Sequence, residues 1–216
     1  MQDLTTVQLL IVLLPPLLLA ITLHEVAHGW MALRCGDTTA RDQGRLSLNP
    51  LRHIDPIGTV LVPGVLAVLG GFIFGWAKPV PVNLLRLRHP KRDMALVALA
   101  GPGSNLLMAI GWGLVMLLGY HLLASASWAG EPLLRMGLVG IDVNLMLGVL
   151  NLIPIPPLDG SRVLAGILPN RFGQVMAQIE PYGLIILVAL LTVGGLFDVL
   201  MPIVASIRHL ILSLFL

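Results

Sequence analysis

The sequence predicts an all-α polytopic membrane protein, one that crosses the bilayer several times as a single domain. Of its 216 residues, 56% are hydrophobic and 11% are charged, whereas about 25% of the residues in an ordinary soluble domain are charged. The mean hydropathy of +0.91 indicates that most of the chain is surrounded by lipid or by its own apolar helices. Long apolar segments also recur along the chain, with most charged residues between them. These three observations predict an integral membrane domain over residues 1–216.

The charge balance and the cysteine count exclude two classes of protein. The 13 Lys+Arg residues against 11 Asp+Glu residues give a net charge of +2, which is too balanced for a nucleic-acid-binding protein. The single cysteine, Cys35, excludes an internal disulfide. The N-terminal "MQDLTTVQ" lacks the basic region of a cleavable signal peptide, so we expect the first apolar segment to stay in the mature protein.

Five apolar segments reach the length that a spanning helix needs, about 20 residues. A sixth, from Pro202 to the end of the chain, is short and is interrupted by Arg208 and His209. The sequence therefore predicts about four to six transmembrane helices. The five longer segments run approximately over Val7–Leu33, Ile57–Ala77, Met94–Leu123, Leu133–Leu158 and Tyr182–Leu200.

The second segment, Ile57–Ala77, is predicted to enter the bilayer and return to the same side. It contains a Pro-Gly and a Gly-Gly pair, both of which interrupt helices. If it spanned the membrane, the nine basic residues between the first and third segments would divide four against five. If it returns, all nine share one face with Arg162 and Arg171, and the positive-inside rule makes that face cytoplasmic. The nine residues are Arg34, Arg41, Arg45, Arg52, Lys78, Arg86, Arg88, Lys91 and Arg92.

The first apolar segment contains "HEVAH", from His24 to His28. Residues i and i+4 project from the same face of a helix, so the two imidazoles can chelate one zinc ion. Glu25 is then placed to act as the general base for the water that the metal activates. The alternative is a chance match, or histidines hydrogen-bonded to neighbouring helices. Because ionisable residues at membrane depth are rare and need a partner, three together favour the zinc site.

The third zinc ligand is predicted at Asp159, since a catalytic zinc needs three protein ligands and an open position. Asp159 lies in "NLIPIPPLDGSR", where three prolines interrupt the fourth segment and Gly160 permits a turn. The first and fourth segments both run toward the predicted cytoplasmic face, so His24, His28 and Asp159 are expected at similar depth. The alternative is that Asp159 only caps the helix that follows.

These motifs resemble those of the site-2 protease family of intramembrane zinc metalloproteases. Besides "HEVAH", the chain contains "GPGSN" at Gly101–Asn105 and "NLIPIPPLDG" at Asn151–Gly160, which fits the family's Asn…Pro…Leu-Asp-Gly pattern. "FGWAKPVPVN", at Phe74–Asn83, is similar to a segment common in compact bacterial members. The resemblance covers nearly the whole chain, with no room for a PDZ insertion or a nucleotide-sensing module.

The resemblance implies a zinc metalloendopeptidase with one zinc ion per chain. It implies His24, His28 and Asp159 as ligands, Glu25 as catalytic base, and Asn105 and Asn151 as secondary catalytic residues. Either asparagine can donate a hydrogen bond to the oxyanion of the tetrahedral intermediate. The alternative is that both are polar contacts between helices.

A transmembrane substrate hides its scissile amide inside its own helical hydrogen bonds, so the enzyme must bind an unwound, extended chain. The segments Ala77–Asn83 ("AKPVPVN") and Gly44–Pro50 ("GRLSLNP") alternate as strands do. We predict that one or both form a short β-hairpin near the active site, to whose edge the substrate adds as a strand. The alternative is a loop stiffened by proline. The predicted substrate-binding residues are Lys78, Pro79, Val80, Pro81, Val82 and Asn83.

Two other functions use the same residues. A divalent-metal carrier also needs intramembrane His and Asp, but carriers usually show inverted repeats, and none is seen in this sequence. A catalytically inactive scaffold would have no need of Glu25. The favoured function is therefore proteolysis in the inner (cytoplasmic) membrane, with the lipid bilayer and transmembrane protein substrates as partners and the active site toward the cytoplasm.

Overall fold

A computed structural model describes residues 5–68 and 75–215 of the chain, and this part is all-helical. A π-helical turn at Pro56–Leu61 leads directly into the third α-helix, and short 3-10 turns connect several of the others. The α-helices are α1 Thr6–Arg34, α2 Thr39–Asp42, α3 Val62–Val68, α4 Pro90–Leu122, α5 Ser127–Asn151, α6 Asp159–Ile167, α7 Asn170–Ile179, α8 Gly183–Thr192 and α9 Leu196–Leu212.

Four helical stretches in the described part are long and apolar enough to cross a membrane: Thr6–Arg34, Pro90–Leu122, Ser127–Asn151 and Asn170–Thr192. They confirm a multi-pass membrane protein, at the lower end of the predicted four to six helices. The predicted fifth segment, Tyr182–Leu200, is shifted: the helical stretch begins at Asn170 and ends at Thr192. Gly195, which has a φ of 65° in the left-handed region, separates it from α9. The apolar pattern did not predict this break, because a glycine does not interrupt a segment that is identified only by its lack of polar residues.

Helices α1, α4 and α5 form an antiparallel core. Along α1, Ala20 lies beside Asn105 of α4 and His28 lies beside Val97, so these two helices run in opposite directions. Small residues let α4 and α5 approach closely: a Cβ atom added at Gly137 of α5 would collide with the backbone of Met116. Helix α9 closes this core with buried residues from its inward face. The core cluster is Ala109, Met116, Ile141, Leu145, Val204 and Ile211.

The segment predicted to re-enter the membrane has its two ends side by side. The Trp76 N–H donates to the Gly58 carbonyl at 3.0 Å, and the Thr59 hydroxyl donates to the Trp76 carbonyl at 2.8 Å. A continuous helix over about 20 residues would separate its ends by roughly 30 Å. Segment 57–77 is therefore not a single spanning helix. Its middle, residues 69–74, lies outside the described residues, so the re-entrant path stays a prediction.

The predicted β-hairpin is wrong for the residues that the structure describes. Ala77–Asn83 and Gly44–Pro50 contain no strand and pair with none. Pro79 and Pro81 each lack a backbone N–H, so alternate donors of a ladder are missing. The N–H groups of Lys78, Val80 and Asn83 bind the His53 carbonyl and the carboxylates of Glu25 and Asp37, not a neighbouring strand. The alternation that resembled a strand instead belongs to an irregular segment fastened at several points.

Candidate metal centre

Three ligand atoms converge between α1 and the first residue of α6. His24 Nε2 and His28 Nε2 are 3.0 Å apart, and each is 3.2 Å from Asp159 Oδ2. All three side chains are buried. Donors bound tetrahedrally to zinc at about 2.0–2.1 Å would be about 3.3 Å from one another. The predicted ligands are thus brought together at the spacing that one zinc ion requires.

The remaining ring nitrogens determine which atoms face the centre. His24 Nδ1 lies 2.6 Å from Asn105 Oδ1, and His28 Nδ1 lies 2.7 Å from the Val97 carbonyl. Both partners are acceptors, so each Nδ1 carries the ring proton and each Nε2 presents a lone pair. Within the described chain, Asp159 Oδ2 is buried without a hydrogen-bond donor. Three lone pairs facing one another need a cation between them, so the donor set fits zinc.

Gly101, the first residue of "GPGSN", lets α4 approach the two imidazoles. A Cβ atom at this position would lie 2.5 Å from His28 Cε1 and 2.7 Å from His24 Cε1. Gly148 of α5 in turn packs against Asn105, where an added Cβ would be 3.3 Å from the Asn105 Cβ. The glycines therefore explain why α4 and α5 can support the histidines of α1 at such short range.

Asn105 acts on the centre as an acceptor, since both protons of its amide are used elsewhere. Its Nδ2 donates to Asn144 Oδ1 at 3.0 Å and toward the Ala20 carbonyl at 3.4 Å. Asn144, which is fully buried, donates to the Gly140 carbonyl at 2.8 Å. Sequence reasoning missed Asn144. Its only signal was an amide inside an apolar helix, and this signal does not distinguish a supporting residue from a packing contact.

Asn151 lies at the end of α5, and its Nδ2 donates to the Leu147 carbonyl within that helix at 2.9 Å. The chain then passes through a cis Pro156–Pro157 bond and returns at Asp159. Buried Leu158 packs with Leu187 and Leu191 of α8, which places the start of α6. Gly160 follows so close to the preceding turn that a Cβ atom would collide with its carbonyls. The interrupted helix therefore returns its carboxylate to the two histidines.

Glu25 is joined to an irregular segment that passes over α1. We name residues 78–83 the crossing segment. The Val80 N–H donates to Glu25 Oε2 at 2.7 Å, and the buried Val80 side chain packs against Gly29, one turn along the helix. Glu25 follows His24 directly on α1, and its carboxylate is close enough to His28 for the two charges to interact. The bond to Val80 holds one of its two oxygens.

Three further buried residues fasten the crossing segment, and none was predicted. An Arg45 Nη donates to the Lys78 carbonyl at 2.7 Å, and the Lys78 N–H donates to the His53 carbonyl at 2.9 Å. At the other end, the Asn83 N–H donates to Asp37 Oδ2 at 2.6 Å. No spacing rule marks such residues, because they bind the backbone of a segment far away in sequence.

The Asp37 carboxylate binds as an anion. Burial tends to raise its pKa, but hydrogen bonds from Thr39 and from the Asn83 amide outweigh burial and hold the pKa below its usual value. Asp37 is therefore ionised at neutral pH, and its bond to the crossing segment is charge-assisted.

Known proteins match this chain along most of its length. Residues 123–194 match the model of peptidase family M50. YwhC of Bacillus subtilis is 40% identical over 203 residues, which cover 92% of this chain and 88% of that protein. Rip2 of Mycolicibacterium smegmatis is 32% identical over 200 residues, covering 90% of this chain and 72% of that protein. Both relatives carry the provisional name zinc metalloprotease. No solved structure matches the chain.

A buried zinc-type donor set within apolar helices, on a helix with the "HEVAH" motif, defines an intramembrane zinc metalloprotease. The chain belongs to peptidase family M50, the site-2 protease family. The predictions of family, of enzyme class and of zinc as the cofactor are thereby confirmed. The roles of the individual residues remain predictions.

Proposed function

We propose that this protease cleaves transmembrane protein substrates within or near the membrane, using zinc held by His24, His28 and Asp159. The observation that carries the proposal is the convergence of three buried lone pairs at 3.0–3.2 Å. When bound, zinc polarises the scissile carbonyl and lowers the pKa of a water molecule to about 7. The protein supplies the ligand geometry, the proton transfer and the binding of an extended substrate.

In this mechanism Glu25 takes the proton of the attacking water and returns it to the leaving amine. The Val80 N–H holds Oε2, so Oε1 is the oxygen that exchanges the proton. Asn105 fixes the ring proton of His24 and acts as a positioning residue. Of the two predicted oxyanion donors, Asn151 is the better candidate, because both amide protons of Asn105 are directed to Ala20 and Asn144.

The crossing segment is the proposed docking site for the unwound substrate. The amides of Lys78 and Val80 point toward His53 and Glu25. In an extended chain, the backbone carbonyl of the residue between them points to the opposite side. That residue, Pro79, is exposed, so its carbonyl can accept an N–H from a substrate strand. Because Pro79 is followed directly by Val80, which binds Glu25, such a strand would lie next to Glu25.

We propose that this site opens to the cytoplasmic face of the inner membrane. The Arg45–Lys78 hydrogen bond joins the chain before and after segment 57–77, and the Arg88 N–H donates to the Cys35 carbonyl at the end of α1. The basic residues on both sides of the segment therefore share one end of the helical core. The positive-inside rule assigns that end to the cytoplasm, with segment 57–77 re-entering from it.

The decisive experiment substitutes the proposed base while preserving the ligands. Glu25→Gln should retain one zinc per chain and fold normally, but cleave a model transmembrane peptide at least about a hundredfold more slowly, since the base is lost. His24→Ala, His28→Ala or Asp159→Ala should lose zinc. Metal content by mass spectrometry is measured beside cleavage for each purified variant.

The matched control is Glu131→Gln, which makes the same change at a glutamate paired with Arg135 on α5. It should retain both zinc and cleavage. Normal cleavage by Glu25→Gln would remove the proposed base, and full zinc content in Asp159→Ala would remove the third ligand. Zinc flux into vesicles without any cleavage would favour a metal carrier instead.

A further inference from the structure

Arg45 is a buried cation that is not part of the candidate metal centre. Its exposed fraction is 8%, its Nε has no hydrogen-bond partner, and no carboxylate in the described chain pairs with it. Of the eleven acidic residues, only Asp3 lies outside the described part. An unpaired buried charge costs several kcal/mol. Stability alone therefore does not account for an arginine here.

The contact that Arg45 does make is with the crossing segment. Its guanidinium donates to the Lys78 carbonyl, while the N–H of the same residue donates to the His53 carbonyl. The Lys78 backbone is thus held through both of its polar groups. Two residues further on, the Val80 N–H meets Glu25 Oε2. Two residues of extended chain cover only about 7 Å, which leaves little slack between the two contacts.

No regular secondary structure holds the crossing segment in place. Pro79 and Pro81 exclude the ladder bonds that would fix a strand, so its contacts with other segments determine its position. A guanidinium suits this task because its planar donors hold a carbonyl in a defined direction, whereas an ammonium group on a flexible stem does not.

We propose that Arg45 is a positioning residue for Glu25: by holding the Lys78 carbonyl it keeps the Val80 N–H on the Glu25 carboxylate. The importance of this contact for catalysis rests on the proposed role of Glu25 as base. The contact itself can be measured without any cleavage assay.

The test follows the Val80 amide directly in Arg45→Met. Labelling proline with ¹³C′ and valine with ¹⁵N selects Pro-Val pairs, of which the sequence has two, ending at Val80 and Val82. In NMR spectra of the protein in detergent micelles, Glu25→Ala identifies the Val80 signal, because that amide loses its acceptor. Arg45→Met should move the Val80 signal toward its position in Glu25→Ala. It should also lower kcat, by no more than the roughly tenfold loss expected when that amide is removed, with zinc content unchanged.

The matched control is Arg52→Met. Arg52 also donates to a backbone carbonyl, that of Gly44 at 2.6 Å, but it is exposed and that carbonyl lies outside the crossing segment. This variant should leave the Val80 signal and kcat as they are. If Arg45→Met does not fold, Arg45→Lys carries the same measurement, with a smaller shift expected because one donor and the charge remain.

An unmoved Val80 signal in the folded Arg45 variant would overturn the inference, and so would a raised KM with unchanged kcat, which would assign Arg45 to substrate binding. Failure of the proposed function has a different signature. If Glu25→Gln still cleaves, the proposed base is wrong, yet the amide shift still reports whether Arg45 holds the segment.

Discussion

The two halves of the proposed site, the proposed metal ligands and the proposed base, begin one residue apart on α1 but are held by different means. His24 and His28 are oriented from α4, by the Asn105 side chain and the Val97 carbonyl, and both lie in regular helices. Glu25 is held by the backbone amide of Val80 in an irregular segment. The metal half thus depends on close helix packing, and the base half depends on hydrogen bonds to a loop.

This difference predicts that substitutions in the two halves have different effects. Changes that push α4 away from α1 should disturb the ligands and release zinc. Changes that release the crossing segment should slow proton transfer and leave zinc in place, because none of its residues is a ligand. Zinc content and cleavage rate, measured together, therefore report which half of the site a substitution has reached.

Among changes to the residues that support the two halves, the largest effect is expected at Gly101 in the metal half. Gly101→Ala places a Cβ atom 2.5 Å from His28 Nε2, so either the ring or the helix must move. We expect zinc affinity to fall about ten- to a hundredfold, as when the support of a ligand is removed. Competition with a chelator followed by metal analysis measures the change, and cleavage should fall in parallel.

Gly103→Ala is the control for Gly101→Ala. It makes the same substitution two residues further along α4, where an added Cβ meets nothing within 4 Å. This variant should bind zinc and cleave normally. Equal zinc affinity in the two variants would show that the close approach of α4 does not hold the histidines.

A smaller effect is expected in the base half, from removing a single backbone donor. Val80→Pro deletes the N–H that binds Glu25, and we expect cleavage to slow about tenfold while zinc stays at one per chain, since a misplaced base costs rate rather than metal. Kinetics on a model transmembrane peptide, beside metal analysis, measure both quantities.

Val82→Pro is the comparison for Val80→Pro, because it adds the same ring to the same segment two residues beyond the amide that binds Glu25. It should slow cleavage less. Equal slowing by both variants would assign the segment to substrate binding throughout, and loss of zinc from Val80→Pro would contradict the separation of the two halves.

The last prediction concerns membrane topology, and its substitutions should affect activity least. Cysteine labelling tests whether the loops on the two sides of segment 57–77 face the same side of the membrane. In a Cys35→Ser background, single cysteines at Arg41 and Arg88 should react with an impermeant reagent from the same, cytoplasmic side, because the hydrogen bonds place both loops at one end of the core. Both positions are exposed, whereas Arg45 is buried and would label poorly. Labelling from opposite sides would contradict the re-entrant path of segment 57–77.

Much of the metal half could be predicted because its information is local. Positions i and i+4 of a helix always share a face, so "HEVAH" predicted that His24 and His28 would meet before any tertiary contact was known. The placement of Asp159 followed from counting segments and from the need for a third ligand. The structure brings the three atoms together, but the orientation of Asn105 and the support from Asn144 depend on how α4 and α5 pack.

By itself, the sequence determined that the protein is a multi-pass membrane protein, its helical class and the type of chemistry. These properties follow from the lengths of apolar segments, the positions of charges and the types of ligand residues. Such features are local, so they do not depend on how the helices pack. Only the tertiary structure decided the base half, where alternation in "AKPVPVN" predicted a hairpin that is absent from the described chain. The partners of that segment lie far away in sequence: Arg45 is 33 residues from Lys78, Asp37 is 46 from Asn83, and Glu25 is 55 from Val80. Hydrogen bonds to backbone groups at such separations leave no periodic pattern, because every residue type except proline offers the same amide.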